Sequence, residues 1–377
     1  MTKKLRILVV TRSYPAAGDL YQYPFVHRRV LAYREAGHEV AVFRPSDGAT
    51  AGHEYEGITC RSGDGAALAA IAAAFRPDVV AVHGLSEAMW PALSGLGSLP
   101  ICAWLHGSEI PAFFRAKAKA IAEGDERTAS LRQVDVRKTF WADLLRDRPE
   151  LKLVFPSVSA VEMMREDLGD WLLNYAVIPN PIDTSLFAYQ PKRDEHRFKV
   201  LSIRPFDSTT YANDLSVAAI IALTGRPDFQ RLHFTIIGVG PLFDKALKPL
   251  QGMENVTIRR EFLTQSEIAA EHSRHGIFLV PTRLDTQGVS RDEAMSSGLV
   301  PVTNSIPPVL EFADDACAGL AAPNDAVGLA EKLWEMIESA ALFRQRSEAA
   351  ARRVRRQSAN DLIIPRELDL LAEVARA

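Results

Sequence analysis

Two carboxylates, Asp285 and Glu293, stand eight positions apart on either side of a polar loop that contains Gly288. An apolar run, 277–280, precedes this loop and predicts a buried strand, and a short helix is predicted to follow it. In an open α/β sheet, a loop between a strand and a helix lines the ligand crevice, and the first amides of the helix attract an anion. We therefore expect the amides of residues 288–290 to hold a phosphate, and the spacing of the two acids suits a nucleotide sugar.

The segment 285–298, DTQGVSRDEAMSSG, resembles the E-x7-E signature of the retaining group 1 (family 4) glycosyltransferases. That signature is written E-G-F-G-L-P-x-x-E-A-M-A-x-G, and its first glutamate is an aspartate here. The resemblance implies that Glu293 holds the ribose hydroxyls of a donor and that Asp285 contacts the donor sugar. The donor-binding set that we predict is Glu293, Gln287, Gly288, Val289, Ser290 and Gly18. Without the resemblance, a strand, loop and helix with solvated acids would explain the same pattern.

Further segments carry the same resemblance. Residues 177–187, VIPNPIDTSLF, resemble the family's v-I-P-N-G-v-D-x-x-x-F, with Pro181 in place of the glycine. Residues 235–242, TIIGVGPL, resemble its i-i-G-x-G-p-l, and residues 256–259 with 262–268 resemble the segment where the family holds the nucleobase. The resemblance therefore covers most of the chain.

A histidine and an arginine complete the predicted catalytic set with Asp285. His106 ends an apolar strand, and the resemblance implies that it lies against the donor sugar; the alternative is a strand-end histidine bonded to backbone. His83 ends its own strand in the same way and is a weaker candidate. Arg204 follows the predicted strand 198–203 and matches the arginine of the family's G-R-L, where a guanidinium binds a diphosphate through two hydrogen bonds. Its alternative is a surface ion pair.

One family residue is missing. The family has a lysine about five positions after this arginine, but residues 204–214 read RPFDSTTYAND and contain no lysine. Either another cation takes its place or the leaving diphosphate is stabilised less. The missing charge also leaves open a non-catalytic nucleotide-sugar-binding subunit.

Short apolar runs alternate with helical stretches through both halves of the chain. The runs lie at 5–10, 39–43, 78–83, 100–106, 152–159, 198–203, 233–238 and 277–280. Alternation of this kind predicts parallel sheets covered by helices. The loop 11–23 contains Gly18 as its only glycine and departs from G-x-G-x-x-G, so a dinucleotide site of the usual kind is not expected.

The predicted fold class is α/β, with two Rossmann-like doubly wound domains facing each other across a cleft, the GT-B architecture. We predict an acceptor-side domain at 1–187 and a nucleotide-sugar-binding domain at 188–355, beginning with the polar linker 188–197. The resemblance implies that the helical segment 356–377 returns to the first domain.

Composition excludes several classes of protein. The 377 residues include 44 basic and 47 acidic ones, a net charge of −3, which argues against a nucleic-acid-binding protein. Three scattered cysteines indicate neither a disulfide framework nor a zinc site. The opening MTKKLR leads directly into a short strand, so we expect no signal peptide, no membrane span and a cytoplasmic location.

A basic patch at 113–119 raises a second hypothesis about location. It combines two phenylalanines with Arg115, Lys117 and Lys119. A solvated face is the default interpretation. Peripheral contact with the inner face of a membrane, or with a lipid-linked acceptor, is the alternative.

The sequence is therefore identified as that of a retaining glycosyltransferase of hexosyltransferase type. It would move a sugar from a UDP- or GDP-type donor to a glycan or lipid-linked acceptor, in bacterial surface polysaccharide or glycoconjugate assembly. We expect no cofactor and no metal, because no Asp-x-Asp motif stands out. A nucleotide-sugar epimerase of similar architecture is the alternative within enzymology.

Overall fold

The computed structural model describes residues 4–119, 125–169 and 174–376, so the first three residues of the opening segment lie outside the described part. The chain divides into two compact units. The first consists of Met1–Pro181 and Asn360–Ala377, and the second of Ile182–Ala359. Each is built on its own sheet.

The first unit has, within its described residues, an eight-stranded sheet with the order β3-β4-β2-β1-β5-β6-β7-β8. Its strands are β1 (Arg6–Thr11), β2 (Glu39–Pro45), β3 (Ala51–Tyr55), β4 (Ile58–Gly63), β5 (Val79–His83), β6 (Ile101–Trp104), β7 (Lys152–Phe155) and β8 (Tyr175–Val177). All neighbouring strands are parallel except β3 and β4, which form an antiparallel hairpin. Its helices are α1 (Pro24–Glu35), α2 (Gly65–Phe75), α3 (Trp90–Ser94), α4 (Pro111–Lys119), α5 (Asp125–Asp147), α6 (Val158–Leu168) and, from the end of the chain, α14 (Asn360–Val374).

Strand β1 shows why this sheet needs helices on both faces. Alternate side chains of a strand point to opposite faces, and the four central positions of β1, residues 7–10, are buried and apolar. Leu8 and Val10 pack in a cluster with residues of α2, α3, α5 and α6, whereas Ile7 and Val9 pack with residues of α1 and α14. The last helix of the chain is thus part of the first unit's core.

The second unit has, within its described residues, a six-stranded parallel sheet with the order β11-β10-β9-β12-β13-β14. The strands are β9 (Lys199–Ile203), β10 (His233–Ile237), β11 (Val256–Arg259), β12 (Ile277–Leu279), β13 (Val300–Asn304) and β14 (Gly319–Ala321). The helices are α7 (Asn213–Ala222), α8 (Phe243–Leu247), α9 (Gln265–Arg274), α10 (Val289–Ser296), α11 (Pro307–Leu310), α12 (Ala326–Glu338) and α13 (Ala340–Gln357). The predicted pair of α/β domains with parallel sheets is confirmed.

The boundaries of the units differ from the predicted ones. The prediction ended the first domain at residue 187, but residues 182–187 belong to the second unit. Ile182 donates its backbone N–H to the carbonyl of Ser358 at 2.7 Å, and Phe187 is buried in a cluster of the second unit's core. These contacts carry the segment into the second fold.

The predicted linker 188–197 also lies within the second unit. It contains a buried lysine, Lys192, whose Nζ donates to the carbonyl of His272 at 2.6 Å. Although its polar composition suggested a linker, this segment packs against the second unit. The chain leaves the second unit after residue 359, four residues later than predicted.

Candidate functional site

The predicted phosphate loop lies at the edge of the second sheet where the strands end, here called the carboxyl edge. β9 and β12 are parallel neighbours, so Arg204, just after β9, and the loop 280–288, after β12, meet at this edge. Arg204 donates from Nη1 to Ser290 Oγ and from Nη2 to the carbonyl of Pro281, each at 3.4 Å. The structure thus brings two of the predicted residues, Arg204 and Ser290, into contact.

Arg204 is a buried cation with few partners. Only 6% of the residue is exposed, its Nε has no hydrogen-bond partner among the described residues, and its two hydrogen bonds are long. Its guanidinium lies 5.0 Å from the ring centre of Tyr211. Burial lowers the pKa of Arg204, and the negative charge of Asp285 opposes that change. A buried charge without full hydrogen bonding is costly, and this cost favours an anionic ligand beside Arg204.

Helix α10 begins at this point, and Gly288 is its N-cap. Gly288 has a φ of 95°, and a Cβ there would lie 3.0 Å from Arg291 Nη1 and 3.2 Å from Asp285 Oδ2. Both the left-handed conformation and the crowding require glycine. The amides of the first helical turn, at residues 289–291, have no acceptor within the helix. They and the helix dipole provide donors for an anion.

Asp285 and Glu293 are both half-buried on this loop and helix. Asp285 Oδ1 accepts the amide N–H groups of Thr286 at 2.8 Å and of Gln287 at 3.2 Å, so one carboxylate oxygen holds the turn of its own loop. Glu293 lies on the second turn of α10. The predicted roles of these two acids towards a donor stay predictions.

Gln287 was predicted to bind the donor, but the structure uses it inside the loop. Gln287 is only 1% exposed, and its side-chain Nε2 donates to Asp292 Oδ2 at 3.0 Å. Its amide donates to Asp285, and its carbonyl accepts from Arg291. We therefore take Gln287 as a residue that shapes the loop rather than as a donor ligand.

A buried ion pair lies on α10 where the family signature allows any residue. Arg291 donates from Nε and Nη2 to Asp292 Oδ1 at 2.9 and 2.7 Å, and both side chains are at most 2% exposed. Burial raises the pKa of Asp292 while Arg291 opposes the shift. The sequence offered no signal for this pair, because adjacent charges in a short helix are usually solvated.

Arg283 lies close to the place where the family lysine is missing. Its Nη1 donates to the carbonyl of Thr209 at 2.8 Å and to Asp214 Oδ1 at 2.7 Å, and its Nη2 donates to Asp214 Oδ2 at 2.6 Å. These bonds lower the pKa of Asp214. A cation is therefore present beside Thr209, but a carboxylate already neutralises it. Sequence reasoning missed this pair because its members are 69 residues apart.

In the first unit, His106 follows β6 and lies half-buried in an aromatic cluster. Its ring centre is 4.6 Å from that of Phe25 and 5.8 Å from that of Tyr23. Glu109 Oε2 accepts the amide N–H groups of His106 at 2.8 Å and of Gly107 at 3.0 Å. This carboxylate, three residues after the histidine, fixes the backbone that carries the ring.

His106 also contacts the other strand-end histidine. His83 Nδ1 and His106 Nε2 are 3.1 Å apart. Burial and the nearby charge of Arg29 hold the pKa of both histidines well below the usual range. Both rings are therefore neutral at pH 7, and His106 acts as a hydrogen-bonding group rather than as a cation.

Gly18 lies exposed in the loop 12–23, in a turn closed by two hydrogen bonds between the backbones of Ala16 and Asp19. Apart from its two chain neighbours, no described residue has an atom within 4 Å of the position that a Cβ on Gly18 would take. Nothing within the first unit therefore requires glycine here, and its predicted role in donor binding stays a prediction.

The basic patch is largely occupied by contacts within the first unit. Arg115 donates to both oxygens of Asp167 at 2.7 Å, and the ring of Phe114 lies 4.0 Å from the Arg137 guanidinium carbon. Phe113 packs against Gly107. Of the residues of the basic patch, only Lys117 and Lys119 are not used in these contacts. Fewer basic and aromatic side chains are thus available for a membrane, which weakens the hypothesis of membrane contact. No helix in the described part of the chain has the length and apolar character to cross a bilayer.

Comparisons with known proteins bear on this arrangement. A family model described as "Glycosyl transferases group 1" matches residues 199–339, and one described as "Glycosyltransferase Family 4" matches residues 25–186. The chain belongs to the group 1, family 4 glycosyltransferases. The first match contains Arg204, Asp285 and Glu293, and the second contains His106. No curated protein sequence matches this glycosyltransferase significantly.

Solved structures share its fold. A sucrose-phosphate synthase from Thermosynechococcus elongatus matches it with a TM-score of 0.77 at 16% identity, over 98% of this chain and 99% of that one. HepE from Anabaena, in complex with UDP and glucose, matches it with a TM-score of 0.72 at 13% identity, over 98% of this chain and 100% of that one. At such identities the likeness establishes the GT-B fold class and does not identify substrates.

Proposed function

We propose that this glycosyltransferase is a retaining enzyme that moves a sugar from a UDP- or GDP-type donor to a glycan or lipid-linked acceptor. The proposal includes action without a metal ion or cofactor, on the cytoplasmic side, in the assembly of bacterial surface polysaccharide or glycoconjugate. The observation that carries it is the under-partnered, buried Arg204 beside the open amides of the first turn of α10.

This pair of features matches the chemistry of a diphosphate. A guanidinium offers a planar fork of donors that fits phosphate oxygens. Helix amides offer further donors along an axis that favours negative charge. Arg283 is paired with the Asp214 carboxylate, whereas Arg204 forms no ion pair with any described residue.

The remaining predicted residues extend the proposal to the rest of the donor. Glu293, on the second turn of the same helix, would accept hydrogen bonds from the ribose hydroxyls. Asp285 keeps one oxygen on its own loop, and its other oxygen, which lies on the Gly288 side, would contact the sugar. His106, neutral in its aromatic cluster, would donate to or accept from a sugar hydroxyl.

The reaction that we propose is a front-face displacement. The bond from the sugar's anomeric carbon to the diphosphate oxygen breaks, and a bond from that carbon to the acceptor oxygen forms on the same face. The acceptor proton passes to the departing phosphate oxygen. Arg204 and the helix amides stabilise the growing negative charge of the diphosphate, and no protein nucleophile is needed.

Structural neighbours support the choice of donor class. HepE is described in complex with UDP-glucose, at 14% identity to this chain. That likeness favours testing UDP-sugars first and GDP-sugars second.

The test is the release of free nucleoside diphosphate from a panel of UDP- and GDP-sugars, with and without mixed oligosaccharide and lipid acceptors. A transferase releases it faster with acceptor, and NMR of the product then shows an unchanged anomeric configuration. An epimerase converts the donor sugar without releasing nucleotide. A binding subunit does neither, although nucleotide still raises its melting temperature. An inverted product, or release that no acceptor accelerates, contradicts the proposal.

A further inference from the structure

His83 and His106 are joined edge to edge rather than face to face. Their planes differ by 9°, their ring centres are 5.4 Å apart, and the nitrogens Nδ1 of His83 and Nε2 of His106 are 3.1 Å apart. The two nitrogens are much closer to each other than the two ring centres are. Nearly parallel rings with this geometry lie side by side in almost the same plane. This is the geometry of an in-plane N–H···N hydrogen bond.

Because both rings are neutral, one of these two nitrogens carries the shared proton and the other accepts it. The second nitrogen of His83, Nε2, decides which. It is fully buried and has no hydrogen-bond partner among the described residues. If His106 donated, His83 would carry its own proton on Nε2, which would leave a buried N–H without an acceptor. If His83 donates, its Nε2 carries only a lone pair, and an acceptor is then left without a donor. Buried N–H groups without an acceptor are rarer in proteins than buried acceptors without a donor, so we favour His83 as the donor.

We propose that His83 is a positioning residue whose Nδ1–H donates to His106 Nε2 and so fixes His106 as the tautomer with its proton on Nδ1. The ring proton of His106 is then on Nδ1, and its Nε2 lone pair accepts the hydrogen bond from His83. That His106 meets a substrate rests on the proposed function, whereas the tautomer itself does not.

The surroundings hold both rings in this relation. His83 is 0% exposed, ends β5, and stacks on Trp104 with ring centres 5.0 Å apart. Turning the His83 ring over would put carbon in place of Nδ1 at the contact. His106 is held through its backbone by Glu109 and on its face by Phe25. Neither ring can therefore leave the pair without breaking other packing.

The experiment is NMR of the ring nitrogens in protein labelled with 15N-histidine, in the absence of any substrate. His106→Gln identifies the His106 signals. We expect the wild-type His106 to show a protonated Nδ1 and an unprotonated Nε2. His83→Asn, whose amide places an N–H near the original Nδ1, should keep this tautomer. His83→Leu removes the donor, so His106 should change from the Nδ1–H tautomer to the Nε2–H tautomer.

The control is His233→Leu, because His233 is exposed on the second unit and should leave the His106 signals unchanged. A protonated His106 Nε2 in the wild type overturns the proposal. So does an unchanged His106 tautomer in folded His83→Leu. If His83→Leu does not fold, the wild type and His83→Asn decide, because loss of the Nδ1–H form in a folded His83→Asn contradicts the donor role. A failure to find sugar transfer would count against the proposed function and leave this result intact.

Discussion

Replacing Arg204 by methionine should separate ligand binding from folding. The side chain keeps a similar length but loses its charge and its donors. In the free protein the substitution removes two hydrogen bonds of 3.4 Å and a buried guanidinium whose Nε has no partner in the described structure. Because the weak bonds and the cost of burying the charge oppose each other, the free energy of unfolding should change by less than about 1 kcal/mol.

The effect on nucleotide binding should be much larger. If the guanidinium makes two charge-assisted hydrogen bonds to the diphosphate, each contributes about 1.5 kcal/mol at the lower end of the usual range. Their loss then sums to about 3 kcal/mol, which weakens the affinity for UDP or GDP about 150-fold. Arg204→Lys keeps the charge but not the planar fork, so it should recover only part of this affinity.

Isothermal titration of UDP and GDP, with chemical unfolding of the free proteins, measures both quantities. The matched control is Arg283→Met, an arginine of the neighbouring loop whose charge is already paired with Asp214. It should lose far less nucleotide affinity than Arg204→Met. Nucleotide binding by Arg204→Met within threefold of the wild type, or an equal loss of affinity in both variants, would refute a direct role of Arg204 in binding the diphosphate.

Three further predictions concern neighbouring residues. Thr209→Lys should not raise turnover, because Arg283 already donates to the Thr209 carbonyl and Asp214 would pair with the new charge; a faster enzyme would show that the site lacks only a cation. Asp285→Asn keeps an oxygen that can hold the turn, so it should lower turnover more than nucleotide affinity, and parental turnover would contradict the assignment. Burial lowers the pKa of Lys192 from 10.5 to about 8. Between pH 8 and pH 10.5 the unfolded chain therefore binds more protons than the folded one. In this range the free energy of unfolding of the wild type, relative to that of Lys192→Met, should rise with pH. Denaturant titrations in which this difference stays constant or falls would contradict the prediction.

The sequence predicted the strands and the site loop well because their signals are local. The runs 5–10 and 277–280 became β1 and β12 within one residue at each end, and the short helix predicted after the loop of Gly288 is α10. Hydrophobic periodicity and turn residues act over a few neighbouring positions, so a single sequence shows them.

Features that depend on distant partners were not predictable in the same way. The β3–β4 hairpin sits at the edge of a parallel sheet and lacks a strongly apolar run. The Arg283–Asp214 pair and the buried Lys192 depend on contacts across 69 and 80 residues. Lys192 also shows that polar composition alone does not identify a linker.

The sequence showed which candidate residues lie along the loop and α10, but not how they form hydrogen bonds. Arg204 and Ser290 lie in contact, whereas the side chain of Gln287 bonds within its own loop and helix. The pairing of His83 with His106 links the ends of two neighbouring strands, β5 and β6. Side-chain direction at a strand end depends on packing, which a single sequence does not show.

The proposed binding of a nucleoside diphosphate at the start of α10, beside Arg204, can be followed residue by residue. The measurement is the shift of the backbone amide NMR signals of Gly288, Val289 and Ser290 as UDP or GDP is added. We expect large shifts of these amides that saturate with binding and are absent in Arg204→Met at the same nucleotide concentration. Nucleotide binding that leaves these three amides unmoved, with shifts confined to other parts of the chain, would contradict it.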